Sequence, residues 1–154
     1  MKALLLLVGF FLLLAVGGIA SIFARFPNVG PASALEATPT PQRLARGRYL
    51  SEHVSLCLDC HSQRDFNYFA GPVMDNTIGM GGERFDRTMG LPGVIHASNI
   101  TPAALGNWTD GEILRAFTAG LTRDGGALFP VMPYPHYAAM AVEDAVSIIA
   151  FLRT

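Results

Sequence analysis

Apolar and polar residues divide this chain into stretches of different character. Residues 3–24 carry no charge and are almost wholly apolar, with Lys2 before them and Arg25 after them. A run of that length reaches across a bilayer as a helix. The rival is a cleaved signal peptide, whose apolar core is about 7–15 residues, with Gly18-Ile19-Ala20 as a weak cleavage site. The run continues through Ile19, Ile22 and Phe23, which favours a retained anchor over residues 1–25. Lys2 favours a cytoplasmic N-terminus. Both readings export everything that follows.

Residues 26–41 are rich in Pro, Ala and Thr and read as a partly extended linker, punctuated by Pro27, Pro31, Pro39 and Pro41. A domain over 42–154 follows. Thr40-Pro41 has the form of a helix start, N-cap then proline at the first helical position. Leu44, Gly47, Leu50 and Val54 then recur at helical spacing, predicting a helix over 42–55. Thr109-Asp-Gly-Glu112 fits a capping box, and Ile113, Leu114, Phe117 and Leu121 form an apolar stripe behind it. A last helix is predicted over 142–153, with Glu143 and Asp144 in its first turn, where the dipole favours them. Between the first and second of these helices, residues 62–107 show little periodicity and hold seven glycines and three prolines. A structureless loop of that length is unusual in a small domain unless it wraps a cofactor.

Charge narrows the function by exclusion. The formal net charge is −1 and Lys2 is the only lysine, so the chain lacks the basic balance of a nucleic-acid binder. From residue 42 onward there are 9 basic and 11 acidic side chains, with no run of like charge.

The two cysteines stand together in Cys57-Leu-Asp-Cys-His61, and there are no others. Cys-x-x-Cys-His is the pattern of covalent c-type haem attachment: each thiol adds to one vinyl group, and the adjoining histidine reaches the iron. Three other readings are weaker. A thioredoxin-type pair needs a βαβ context, and no apolar strand precedes Cys57. A zinc site needs a second ligand pair, whereas His53, His96 and His136 stand singly. A plain disulfide leaves His61 unexplained. The expected cofactor is therefore one covalently attached haem c with its iron. Export agrees with this, because covalent haem attachment in bacteria takes place outside the cytoplasmic membrane.

The ordered set Cys57-Leu-Asp-Cys-His61, Asn99-Ile-Thr-Pro102, Gly106-Asn-Trp-Thr-Asp-Gly-Glu112, Leu128-Phe-Pro-Val-Met-Pro-Tyr134 and Ile149-Ala-Phe-Leu-Arg-Thr154 resembles a known family. It is similar to the c-type cytochromes that serve as electron-transfer subunits of bacterial membrane-bound dehydrogenases for alcohols, gluconate and related substrates. The resemblance covers about residues 40–154. It implies an all-α class I cytochrome c fold, with long haem-wrapping loops and terminal helices that cross near Gly47 and Phe151. It implies that the Pro72 carbonyl accepts the ring N–H of His61, a bond that would fix and tune this ligand. Many relatives carry two or three haem domains, whereas this sequence has one motif.

Candidates for the second axial ligand are Met74, Met80, Met89, Met132, Met140, His53, His96 and His136. Met132 stands in a loop restricted by Pro130 and Pro133. It also lies between the last two helices, where the family fold places its ligand. His136 is the best nitrogen rival. Trp108 can reach a haem propionate through its indole N–H, or serve as an ordinary buried anchor.

The expected function is one-electron transfer by a membrane-tethered, His61/Met132-ligated haem. The expected setting is the periplasmic side of the bacterial cytoplasmic membrane, between a dehydrogenase and a quinone or terminal oxidase. The alternative is a haem whose methionine is displaced by a small molecule.

Overall fold

The computed structural model describes residues 2–26 and 28–154; Met1 and Pro27, one of the linker prolines, lie outside them. The chain forms two compact units, Met1–Pro31 and Ala32–Thr154.

The first unit is helix α1, Lys2–Arg25, which buries none of its residues. It is long and apolar enough to cross a membrane.

The second unit is mostly helical. Helix α2, Pro41–Tyr49, starts where Thr40-Pro41 predicted: the Thr40 hydroxyl accepts the Arg43 N–H at 3.2 Å. It runs on as one wide π-helical turn, Leu50–Val54, closed by Ser55 N–H donating to the Leu50 carbonyl at 2.7 Å. Inserting a residue in this way rotates the end of the helix and breaks its periodicity. Short helices α3 (Cys57–Cys60) and α4 (Pro102–Leu105) precede α5, Asp110–Ala119. The predicted capping box of α5 is formed in both directions, and Gly120 ends the helix in the left-handed conformation. Helix α6, Tyr134–Tyr137, and helix α7, Val142–Leu152, complete the set. Ala141 gives α7 no side-chain cap.

Helices α2 and α7 pack at Gly47, where a Cβ would meet the backbone carbonyl of Ser147 and lie 2.9 Å from the Phe151 Cβ. The paired ions Arg43–Glu143 (2.7 Å) and Arg46–Asp144 (2.8 Å) flank that approach. The core joins Leu105, Ile113, Val146, Ile149 and Ala150, with Leu44, Trp108, Phe117 and Leu152 packed against it.

Two expectations change. Residues 32–40, read as linker, belong to the domain. Ala37 is buried in the core, Leu35 packs beside it, and the Ala37 N–H donates to the Asp110 carboxylate at 2.7 Å. Arg153 grips the same carboxylate at 2.8 Å and also donates to the carbonyls of Leu105 and Trp108. Gly111 admits this strap, because a Cβ there would lie 2.8 Å from the Ser33 carbonyl carbon. The composition of the strap is linker-like, and only these tertiary partners make it ordered. The fold is also not wholly α. Strands β1 (Arg84–Phe85) and β2 (Ile95–His96) pair antiparallel within the glycine-rich stretch. Two-residue strands are too short to leave an alternating pattern in the sequence.

Candidate functional site

The haem-type motif is launched by an unusual backbone. Leu56 adopts the left-handed conformation at φ 52°, and no other described non-glycine residue has a positive φ. For a leucine this costs about 1–2 kcal/mol. It reverses the chain between the π-turn and α3, so that Cys57, Cys60 and His61 all line one cavity. That cavity has a volume of about 390 Å³ and overwhelmingly apolar walls. Its other walls include Phe85 and Ile95 from the strands, Ile113 and Phe117 from α5, Ile148 from α7, and Phe129 and Met132 from the loop before α6.

His61 Nδ1 lies 2.6 Å from the Ser98 carbonyl oxygen. A carbonyl only accepts, so Nδ1 carries the proton and Nε2 keeps its lone pair for a metal. Burial lowers the His61 pKa, and the Ser98 bond opposes that shift. Gly81 brings the two segments together: its N–H donates to the His61 carbonyl at 2.7 Å, and a Cβ on it would lie 2.6 Å from the Ser98 carbonyl carbon and oxygen.

Pro72 does not take this role. Its carbonyl accepts the Asp65 N–H at 2.9 Å, and it is exposed and absent from the cavity wall. The loop around it closes on itself. The Arg64 guanidinium holds the Gly71 carbonyl at 2.6 Å and the Ala70 carbonyl at 3.2 Å, and Arg64 bridges to Val73. Ser98 was missed because a backbone carbonyl leaves no signature in residue identity. The one pointer was its place beside the Asn99-Ile-Thr-Pro102 motif.

Cys57 and Cys60 are both unpaired. Burial pushes the Cys57 thiol up to about 11 and also raises Cys60. A redox-active Cys-x-x-Cys lowers its thiol pKa, so these thiols lack the activation of a thioredoxin-type site. Among the described residues no group of three or more His, Cys, Asp or Glu is placed to hold a metal ion.

Met132 is half-buried and lines the cavity, as does Trp108. Two tight turns, Val131 N–H to the Phe129 carbonyl and Tyr134 N–H to the Met132 carbonyl (both 2.8 Å), hold the Met132 loop around its prolines. Met74, Met80 and Met89 are exposed and off the cavity wall, and Met140, His53 and His136 are also absent from it. His96 does line it, through strand β2. The structure thus brings Cys57, Cys60, His61, Trp108 and Met132 to one cavity and leaves Pro72 outside.

These residues fit a covalently held haem. A large apolar cavity in a small domain carries two thiols, one neutral imidazole with a free nitrogen, and one thioether. The buried Ser55 hydroxyl at its wall has no partner within the protein. Ser55 and Tyr137, both on this wall, had no functional signal in the sequence.

Comparison with known proteins agrees with this chemistry. No protein-family model matches the chain. The gluconate 2-dehydrogenase cytochrome c subunit of Pantoea cypripedii is 31% identical over 110 residues, 69% of this chain and 22% of the relative. The fructose dehydrogenase cytochrome subunit of Gluconobacter japonicus is 32% identical over 125 residues, 75% of this chain and 23% of the relative. The cytochrome c subunit of a quinone alcohol dehydrogenase from Gluconobacter oxydans is 29% identical over 112 residues, 70% of this chain and 20% of the relative. The chain therefore spans less than a quarter of the length of each of these proteins.

Proposed function

Because the chain belongs to the family of c-type cytochromes represented by the cytochrome subunits of bacterial dehydrogenases, we propose that it is a membrane-tethered carrier of single electrons. The observation that carries this reading is the shared cavity of Cys57, Cys60, His61 and Met132. A bound haem supplies a one-electron iron couple. Cys57 and Cys60 hold the porphyrin through thioether bonds. His61 offers Nε2 while Ser98 fixes its ring, and Met132 offers its sulfur. Held by a histidine and a methionine, the iron would have a higher reduction potential than with two histidines. The apolar walls would keep water away, which would disfavour the more highly charged oxidised state. Trp108 serves the haem edge or anchors the wall beside it.

The crossing of α2 and α7 at Gly47 supports the class I cytochrome c arrangement. Helix α1 is the single membrane anchor, and the haem domain faces the periplasm. The electron donor is a dehydrogenase, and a quinone or terminal oxidase is the acceptor.

The test is purification of the exported protein after co-expression with the haem-attachment machinery. Haem that survives acid-acetone extraction, with a reduced spectrum unmoved by carbon monoxide, is expected. Haem that extracts freely would remove the covalent reading. A spectrum that shifts with carbon monoxide at neutral pH would instead favour the ligand-binding alternative.

A further inference from the structure

We propose that Tyr137 is a positioning residue that ties the Met132 loop to the segment entering the haem motif, and so sets how firmly the Met132 sulfur stays in place. The inference rests on the His61/Met132 reading. Its foundation is one long-range hydrogen bond: the Tyr137 hydroxyl donates to the Ser55 carbonyl at 2.7 Å, across 82 positions of sequence.

Both ends of that bond are significant. Ser55 closes the π-helical turn, and the next residue is the left-handed Leu56. A carbonyl at such a reversal has lost the helical donor that would ordinarily satisfy it. Tyr137 supplies one, and so stabilises the backbone that delivers Cys57 and His61 to the cavity. At the other end, Tyr137 stands on α6, which follows Met132 directly. The Tyr134 N–H holds the Met132 carbonyl at 2.8 Å, and the Ala138 N–H holds Tyr134 at 2.9 Å, so the loop and α6 share one set of bonds. The phenol ring packs edge-to-face on Phe117 with centroids 6.1 Å apart, which fixes the direction of its hydroxyl. Tyr137 and Met132 line the same cavity as Cys57 and His61. The bond therefore links the two segments that carry His61 and Met132.

Loss of the hydroxyl would leave the ring, its packing and both haem thioethers in place. The Met132 loop would then move more independently of His61, and the sulfur would yield more readily to a competing ligand. The experiment compares wild type, Tyr137→Phe and Leu44→Ala as full-length holoproteins. Leu44 packs on the core away from the cavity wall, so its truncation controls for general loosening. In Tyr137→Phe, carbon monoxide occupancy of the reduced protein is expected to rise about two- to tenfold, the equivalent of one neutral hydrogen bond. The methionine-to-iron band of the oxidised protein should also fade at a lower temperature than in wild type. Leu44→Ala should melt earlier, with its band lost only as the whole fold is lost and with no gain in carbon monoxide occupancy, whereas in Tyr137→Phe the band should fade ahead of global unfolding.

Equal behaviour of Tyr137→Phe and wild type overturns the proposal, as does a Leu44→Ala variant that admits carbon monoxide to the same degree. If Met132→Ala leaves the spectrum of wild type unchanged, the ligand reading itself has failed, and the proposal with it. Amide exchange in the wild-type holoprotein gives a second measurement without substitution. Residues 55–60 and 128–137 are expected to open together, and independent opening contradicts the tie.

Discussion

Gly47 sits against the backbone carbonyl of Ser147, closer than any Cβ could tolerate, with the carbonyl carbon 2.6 Å from where that atom would be. The contact sets the distance between α2 and α7 and hence the position of the cavity wall that Ile148 contributes. The neighbour is backbone inside a buried helix, so it cannot rotate aside. Gly47→Ala is expected to lower stability by about 1–3 kcal/mol, the usual range for overpacking. In a domain of this size that is a fall in melting temperature of several degrees or more per kcal/mol. Thermal unfolding of the holoprotein measures it, and an unchanged melting temperature would mean the helices can slide apart at no cost.

Gly81→Ala tests the support of His61. At φ 73° the new Cβ would strain the backbone and press on the Ser98 carbonyl. The hydrogen bond from His61 Nδ1 should lengthen, and the imidazole should become a weaker donor to the iron. The expected result is a higher reduction potential with the haem still attached. Potentiometric titration measures it, and an unshifted potential would show that Ser98 does not tune the ligand.

The α2–α7 ion pairs give a pH dependence whose sign follows from their geometry. Hydrogen bonds from Arg43 and Arg46 hold the carboxyls of Glu143 and Asp144 below their ordinary values. A carboxyl depressed in the folded state stabilises the fold above its unfolded pKa. That contribution fades as pH falls through the depressed value. Stability should thus be flat near neutrality and decline in the acid range below the ordinary carboxylate pKa. Glu143→Gln with Asp144→Asn should flatten part of that decline, and added salt should weaken the same contribution, since both pairs are exposed. Melting temperatures across an acid series at two salt concentrations measure the effect.

Much of this arrangement was legible in the sequence because it is local. Thr40-Pro41 and the Thr109/Glu112 capping box each act within a few residues, and each stands where the pattern put it; Cys57, Cys60 and His61, equally local in sequence, line one cavity. Gly47 was legible through the family resemblance, since a lone helical glycine does not say what it faces. What escaped is long-range and carried by backbone. The Ser98 carbonyl, the Tyr137–Ser55 bond and the docking of Ala37 on Asp110 join groups 37 to 82 positions apart. Pro72 was misplaced for the same reason. The resemblance assigned its carbonyl to His61, but Arg64 closes the loop locally and the carbonyl accepts from Asp65 instead.

The absorption spectrum of oxidised Met132→Ala beside wild type is the sharpest test of whether His61 and Met132 together hold one covalently attached haem. Oxidised wild type is expected to show a methionine-to-iron charge-transfer band. The variant is expected to lose that band and to have a lower reduction potential, with the haem still covalently bound. A band that persists in Met132→Ala, or one absent from wild type, would contradict it.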